Sequence, residues 1–212
     1  MTGLPDFSHE QAAMSRGARL VAGVDEVGRG PLAGPVTAAA VVVRDPVNIP
    51  EGLNDSKKVG RKQREVLADW IMAHCDWSVA HVEVADIERL NIYHAAHLAM
   101  VRAVAGLRCR PCRVLVDGNR VPAALDRPAE AIVGGDARSL SIAAASILAK
   151  VLRDRIMVDL AQQHPGYGWE VNAGYPTPAH KRALLDLGLT PHHRRSFRPV
   201  HNILCKPRSS SP

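Results

Sequence analysis

Two kinds of chemical group lie side by side in residues 21–30 of this chain. An apolar run ends in the adjacent carboxylates Asp25 and Glu26, and a glycine-arginine-glycine turn follows at residues 28–30. Carboxylate oxygens are the ligands that Mg²⁺ prefers. Glycine N–H groups can approach a phosphate closely because no Cβ intervenes. The segment favours a metal site beside a phosphodiester, although a solvated acidic strand end before a turn is the ordinary alternative.

Both carboxylates can serve one site only if the strand changes direction near them. Successive residues of a regular strand face opposite sides of a sheet, so Asp25 and Glu26 would otherwise point apart. The sequence therefore predicts that Glu26 lies where the strand bends into the glycine turn.

A third carboxylate, Asp117, closes the short apolar run of residues 114–116 and precedes Gly118. An Asp-Gly turn would account for this pattern without any chemistry. The run is also typical of a buried strand, and ligands gather at the ends of such strands in open α/β sheets. Asp117 is therefore a candidate ligand from a second strand.

A fourth carboxylate, Asp154, falls on a helical face that should be buried. On a helical wheel it lies between Ile147, Val151 and Val158. A buried, ionised carboxylate must be paired or bound to a metal. Lys150, one turn earlier, would supply the pairing. Four carboxylates from separate segments would instead suit two divalent ions about 4 Å apart, an arrangement used for phosphodiester hydrolysis.

Hydrophobic periodicity predicts an α/β protein with a mixed sheet and helices on its faces. Short apolar or alternating runs predict strands at residues 19–27, 36–43, 78–84, 113–116 and 130–133. Longer segments predict helices at residues 61–75, 91–107, 139–163 and 177–187, before a helical C-terminal part.

Length and composition favour one soluble domain. The 212 residues predict a core at 19–200, between a short segment at 1–18 and a basic, flexible tail at 201–212. With 46% hydrophobic but only 4% aromatic residues, aliphatic and alanine packing should dominate the core. No apolar run reaches the length of a membrane span, and the N-terminus lacks a signal-peptide pattern. We therefore expect a cytoplasmic protein that does not contact membranes, and a monomer.

A net charge of +6 favours a polyanionic partner. No acidic residue follows Asp186. The arginines and lysine after it are Arg194, Arg195, Arg198, Lys206 and Arg208. Phosphate contacts and an ordinary solvated tail are both compatible with this segment, and disorder is expected at residues 209–212.

Cys109 and Cys112 have the C-x-x-C spacing of redox pairs and of half a zinc site. No second pair completes a zinc site. The motif also precedes a strand, whereas a redox pair is expected at a helix N-terminus, which lowers the thiol pKa. A connecting turn is the better interpretation.

Six motifs between residues 24 and 200 occur in one order that is typical of a known family. They are Val24-Asp-Glu-Val-Gly-Arg-Gly-Pro-Leu-Ala-Gly-Pro35, Leu53-Asn-Asp-Ser-Lys-Lys58, Val116-Asp-Gly118, Ala144-Ala-Ser-Ile-Leu-Ala-Lys-Val-Leu-Arg-Asp154, Gly174-Tyr-Pro-Thr177 with His180, and Arg194-Arg-Ser-Phe197 with Pro199-Val200. Together they resemble the type 2 ribonucleases H, specifically bacterial ribonuclease HII. The short segment before the first strand and the arginine of the glycine turn favour this type over ribonuclease HIII.

The resemblance implies a ribonuclease H-like fold, with a five-stranded mixed sheet flanked by helices and a C-terminal helical segment. It implies cleavage of the RNA strand in RNA–DNA hybrids and incision 5′ of single ribonucleotides embedded in duplex DNA. It also implies that Asp25, Glu26, Asp117 and Asp154 bind Mg²⁺ or Mn²⁺, and that cleavage leaves 3′-hydroxyl and 5′-phosphate ends.

The resemblance further implies residues that contact the substrate. The turn Gly28-Arg29-Gly30 would read the 2′-hydroxyl, the group that distinguishes RNA from DNA. Tyr175 would pack on the next deoxyribose. The implied phosphate contacts are Ser56, Lys57, Lys150, His180, Arg194 and Arg195, each with a solvated surface position as the alternative.

Three other functions remain as alternatives at this stage. A binding module without activity would be expected to lack Asp25 or Asp154, and both are present. A nuclease acting on DNA junctions would leave the 2′-hydroxyl reader and Tyr175 without a role. A thiol redox protein would depend on the cysteine pair.

Overall fold

The computed structural model describes residues 4–205, and a five-stranded mixed sheet forms their centre. The strands are β1 (Val21–Val27), β2 (Val36–Val42), β3 (Asp76–Val82), β4 (Arg113–Asp117) and β5 (Ala129–Ile132). Their order across the sheet is β3-β2-β1-β4-β5. The pairs β1–β2 and β2–β3 are antiparallel, whereas β1–β4 and β4–β5 are parallel. The predicted mixed sheet is confirmed.

Eight helices surround the sheet within the described residues. They are α1 (Ser8–Ser15), α2 (Arg61–His74), α3 (Val84–Leu90), α4 (Ile92–Ala105), α5 (Leu140–Gln163), α6 (Trp169–Asn172), α7 (Pro178–Leu187) and α8 (Arg198–Leu204). None of them is long and apolar enough to cross a membrane. The sequence predicted α2, α4, α5 and α7 but not α1 or α3. The predicted strand 78–84 in fact ends at Val82, and Val84 begins α3.

Strand alternation divides the core between two helical layers. Ala22 and Val24 of β1 face the cluster that contains α4, whereas Val21 packs with Ile142 of α5. At Gly23, α5 lies so close that a Cβ would collide with the backbone of Ser141. The two faces of β1 therefore carry different helices, α4 on one side and α5 on the other.

The C-terminal helices pack against the far end of α5 and the segment that follows the glycine turn. Their cluster includes Leu32, Met157, Trp169 and Val200. Helix α8 continues to Leu204, beyond the boundary predicted at residue 200. The rest of the predicted tail, from residue 206, lies outside the described residues.

Helix α1, which the sequence did not predict, fixes the N-terminus of α5 through a buried carboxylate. Glu10 Oε1 accepts hydrogen bonds from the Ser139 hydroxyl, at 2.6 Å, and from the Ser141 N–H, at 2.8 Å. The Ser141 hydroxyl also donates to it. Since buried donors must be satisfied, Glu10 acts as a cap supplied from a distant part of the chain.

We expect Glu10→Ala to lower the free energy of unfolding by about 2 kcal/mol, because it leaves buried donors without an acceptor. For a chain of this size the melting temperature should fall by roughly 4–8 °C. Gln11→Ala, at an exposed neighbouring position on α1, is the matched control. Equal melting temperatures for the two variants would show that the cap contributes nothing.

Candidate active site

Three carboxylates meet at the edge of the sheet where β1 and β4 end. Asp25, Asp117 and Asp136 each place a carboxylate oxygen within 4.8 Å of the others. The parallel pairing of Val24 with Val116 puts Asp25 and Asp117 one residue further along neighbouring strands. Alternation then turns both side chains toward the α5 side. The local sequence of each strand, together with this register, produces the pair.

Asp136, which was not predicted from the sequence, supplies the third carboxylate. It lies in a 3₁₀ turn, Gly135–Ala137, directly after β5, and only 7% of its surface is exposed. Asp117 Oδ1 accepts hydrogen bonds from the N–H groups of Gly135, at 2.7 Å, and Asp136, at 3.4 Å. The available signal was an aspartate after a strand and two glycines, which repeats the strand-end pattern of Asp117.

The three carboxylates of the cluster repel one another when all of them are ionised. Burial, followed by the charges of Glu26 and Asp117, raises the pKa of Asp25 well above its usual value, while the Ser146 hydroxyl lowers it. Burial and the charge of Asp117 likewise raise the pKa of Asp136. Carboxylates this close to one another can all be ionised only when a cation offsets their mutual repulsion.

The donor set of the cluster fits a hard divalent ion. All three groups are carboxylates, which suit Mg²⁺ and Mn²⁺ rather than metals that prefer sulfur or imidazole. A cation would also remove the repulsion that raises the pKa values of Asp25 and Asp136. The residues present therefore fit the metal that the sequence predicts.

Glu26 faces the opposite side of β1 from Asp25. Strand pairing continues through Val27, so the bend begins at Gly28 and not at Glu26, contrary to the sequence prediction. The Glu26 carboxylate lies 3.1 Å from Nη1 of Arg29. Burial raises its pKa, Arg29 lowers it, and the charge of Asp117 raises it further. Glu26 thus remains electrostatically coupled to the cluster from the other face.

Asp154 lies outside the cluster. It is half-buried, and its carboxylate is 2.8 Å from the ammonium of Lys150. Ser146, whose hydroxyl influences Asp25, is eight residues earlier on α5, roughly 12 Å along the helix axis. The ion pair considered from the sequence is therefore present. Metal binding by Asp154 stays a prediction without support from this geometry.

Lys150 and Asp154 line a small cavity of about 210 Å³ together with Tyr175 and Arg61. The Tyr175 side chain is partly exposed and approaches the glycine turn, since a Cβ on Gly30 would lie 3.5 Å from its ring. The predicted reader turn and the predicted sugar-packing tyrosine are therefore neighbours.

Two buried arginines hold the glycine turn from behind. Arg194 donates to the carbonyl oxygens of Gly28, at 2.7 Å, Arg29, at 3.2 Å, and Gly34, at 2.8 Å.

Arg153 donates to the carbonyls of Pro35, Ala33 and Ala173. At Gly28, where φ is +93°, a Cβ would collide with the Arg153 side chain. Glycine is required there both for its backbone conformation and for this close approach.

Burial corrects the interpretation of His180 and Arg194 as phosphate contacts. Both side chains are fully buried. The Trp169 indole N–H donates to Nε2 of His180, at 3.0 Å, so this nitrogen is unprotonated. Nδ1 of His180 then donates to the Tyr175 carbonyl, at 2.9 Å. His180 and Arg194 support the substrate-facing loops without facing the substrate themselves.

The other predicted phosphate contacts differ in exposure. Lys57 is exposed and lies 3.6 Å from Asp136. Ser56 is buried, and its Oγ accepts from the Ser146 hydroxyl at 3.0 Å. Arg195 is exposed. Lys57 and Arg195 therefore remain available to a polyanion. Ser56 connects the turn that carries Lys57 to α5.

Cys109 and Cys112 directly precede β4, as the connecting-turn interpretation requires. Burial and a hydrogen bond to Asp76 raise the pKa of Cys109 to about 11. A redox-active thiol needs a lowered pKa, because the thiolate is the nucleophile. Backbone hydrogen bonds from Arg19 and Leu20 do lower the pKa of Cys112, so only one of the two thiols has that shift.

The fold and the carboxylate cluster define a ribonuclease H-like nuclease of type 2. Ribonuclease H2 from Pyrococcus horikoshii OT3 matches with a TM-score of 0.75 at 30% identity, over 87% of this chain and 96% of that one. A chain from the PCNA:RNase HII complex of Archaeoglobus fulgidus matches with a TM-score of 0.74 at 26% identity, over 89% and 98%. Bst-RNase HIII, solved with Mn²⁺, shares the fold at a TM-score of 0.73 and 20% identity, over 91% and 71%.

Sequence comparison identifies the family. The Ribonuclease HII family profile matches residues 22–200. Ribonuclease HII of Paracoccus denitrificans (strain Pd 1222) is 72% identical over 207 residues, which is 98% of each chain. That of Cereibacter sphaeroides (strain ATCC 17025 / ATH 2.4.3) is 64% identical over 208 residues, again 98% of each. The chain belongs to the ribonuclease HII family, enzymes that hydrolyse the RNA strand of RNA–DNA hybrids.

Proposed function

We propose that this enzyme also incises duplex DNA on the 5′ side of a single embedded ribonucleotide, leaving 3′-hydroxyl and 5′-phosphate ends. The observation that carries this proposal is the Gly28–Gly30 turn, which begins three residues after Asp25 of the carboxylate cluster and approaches the Tyr175 ring. A turn in this place can bring backbone donors to the 2′-hydroxyl, the group by which proteins tell RNA from DNA. The predictions of a monomeric, cytoplasmic enzyme and of the domain boundaries remain expectations.

The carboxylate cluster would hold two divalent ions, Mg²⁺ or Mn²⁺. When bound, such ions supply an activated water and stabilise the departing 3′ oxygen. Asp117 is kept in place by the Gly135 N–H, and Asp25 by its bond to the Glu26 N–H, at 2.7 Å. Ligand oxygens fixed in advance would hold the ions and the scissile phosphate in line without a costly rearrangement. Lys57, at the edge of the cluster, would neutralise a neighbouring phosphate.

The glycine turn has the free donors that a hydroxyl reader needs. Within the described residues, the N–H groups of Arg29 and Gly30 donate no hydrogen bond, whereas the carbonyls of Gly28 and Arg29 are held by Arg194. The backbone is therefore fixed while its donors remain open. Tyr175 would then exclude a 2′-hydroxyl at the following sugar by packing against it.

Three duplexes of one sequence test the proposal: all-DNA, DNA with one ribonucleotide, and an RNA–DNA hybrid. With Mg²⁺ or Mn²⁺, the wild-type enzyme should cut the hybrid, cut the second duplex once on the 5′ side of the ribonucleotide, and leave the first intact. Extension by a polymerase identifies the 3′-hydroxyl end. Asp25→Asn serves as the inactive control. An uncut single-ribonucleotide duplex would reject the proposed incision, and cleavage of all-DNA duplexes or junctions would reject the hydroxyl reader.

A further inference from the structure

A basic surface lies on the side of the sheet that carries α4, the side opposite to the one that Asp25 and Asp117 face. It is an open groove of about 800 Å³ between α4, the end of α3 and the loop of residues 118–124. We call it the α4 groove. Its polar and aromatic lining consists of Arg89, Tyr93, His94, His97, Arg102 and Arg120.

The α4 groove has an unbalanced positive charge. No aspartate or glutamate lines it. Arg89 is 2.7 Å from Asp86, but Arg102 and Arg120 are exposed and form no salt bridge with any residue from 4 to 205. Two unpaired arginines in a concave surface attract a polyanion more strongly than scattered surface charges do.

The loop that follows β4 connects the groove to the active site along the chain. Arg120 is three residues after Asp117, so its backbone lies within about 11 Å of the backbone of that aspartate. His97 of α4, which also lines the groove, has a pKa that burial lowers and that the charge of Arg29 lowers further. The arginine of the glycine turn is therefore close enough to influence the groove electrostatically.

The N-terminal half of α4 places three aromatic rings, those of Tyr93, His94 and His97, along the groove. Tyr93 is 36% exposed, and its ring centre lies 4.3 Å from that of His97 and 5.1 Å from that of His94. Asn91, with φ of +65°, caps the helix by accepting from the Tyr93 N–H at 3.0 Å. Tyrosine and arginine side chains side by side suit the backbone of a duplex, because both residue types contact its phosphates and sugars.

We propose that the α4 groove binds the backbone of the strand opposite to the one that is cut. This inference rests on the proposed function, in which the cut strand occupies the carboxylates and the glycine turn. In a B-form duplex the two backbones are separated by roughly one groove width, about 6–12 Å. A single strand has no backbone to place there. The α4 groove would therefore make the enzyme selective for duplexes.

The test measures binding of an uncut all-DNA duplex, and of one of its strands alone, by fluorescence anisotropy. The variant Arg102→Ala/Arg120→Ala should raise the Kd for the duplex about tenfold near 0.15 M salt. The slope of log affinity against log salt should fall by about 2, one for each lost phosphate contact. The Kd for the single strand should change less than about twofold. The control Arg108→Ala/Arg110→Ala removes the same charge just before β4 and should leave both values near wild type.

Each outcome decides the proposal. If the duplex binds the groove variant as tightly as the control variant, the groove holds no backbone. If duplex and single strand weaken equally, the groove binds any polyanion and is not selective for the opposite strand. The variant Arg102→Gln/Arg120→Gln, with its melting temperature, excludes misfolding as the cause. Wild-type cleavage of the three duplexes is measured separately, so a failure of the proposed function is distinguishable from a failure of the groove.

Discussion

Asparagine in place of Asp136 should lower the rate of hybrid cleavage by about 10³-fold at saturating Mg²⁺, a loss typical of removing one preorganised charge from a reaction centre. The same change at Asp154 should lower the rate by only about 10- to 100-fold, as expected for a residue that supports the site indirectly. The difference follows from position, since Asp136 lies within 4.8 Å of Asp25 and Asp117 whereas Asp154 pairs with Lys150.

The two variants form a matched pair because each replaces one carboxylate by its neutral isostere. A second measurement separates metal binding from other effects. Mn²⁺ or Mg²⁺ should raise the melting temperature of the wild type and of Asp154→Asn, because a ligand that binds only the folded state stabilises it. The rise should be smaller in Asp136→Asn. If instead Asp154→Asn loses both activity and the metal-induced rise, the metal ligand comes from α5, as the family resemblance implied, and the carboxylate cluster is incomplete as described.

Replacing Arg194 by alanine should destabilise the protein by about 3 kcal/mol or more, because the buried carbonyls of Gly28 and Gly34 and the partly buried carbonyl of Arg29 lose their donor. The guanidinium also stacks 5.0 Å above the ring of Phe197. The melting temperature should fall by roughly 6–12 °C. Cleavage, measured well below the melting temperature, should fall by about 10²-fold, since a small displacement of the glycine turn misplaces the substrate.

Arg195→Ala is the control for this prediction, because it removes the same side chain from the adjacent, exposed position. It should leave the melting temperature within about 1 °C of wild type, as most surface substitutions do. Arg194→Lys should recover little, since an ammonium cannot replace a planar fork that serves three carbonyls. A normal melting temperature and activity for Arg194→Ala would show that the turn holds its conformation alone. A loss in Arg195→Ala that matched Arg194→Ala would favour a phosphate contact at both.

The sequence predicted Asp25 and Asp117 because local pattern is sufficient for each. An apolar run that meets an aspartate shortly before a glycine indicates that a strand is about to end, whatever the rest of the chain does. Asp136 has a similar local pattern, but a Gly-Gly-Asp sequence is also an ordinary turn. Only the parallel pairing of β5 with β4, together with the hydrogen bonds from the 3₁₀ turn to Asp117, brings it to the cluster.

Asp154 shows what a helical wheel cannot predict. A helical wheel gives the face on which a residue lies, and Asp154 is indeed half-buried there. The wheel does not give the position along the helix axis relative to the strand ends. That position depends on how far α5 slides across β1, which is set by the contact of Gly23 with Ser141, residues far apart in sequence.

By itself, the sequence determined the strand-end carboxylates, the glycine turn, the α/β class and the family, because each is carried by residue types at short spacing. Tertiary structure alone decided that Asp136 joins the cluster, that Glu26 faces away from Asp25, and that His180 and Arg194 are internal supports. The physical reason is that burial, strand register and helix position arise from contacts between distant segments. The residues at 21–30 therefore form a site only when β4, the turn after β5 and the C-terminal segment are in place around them.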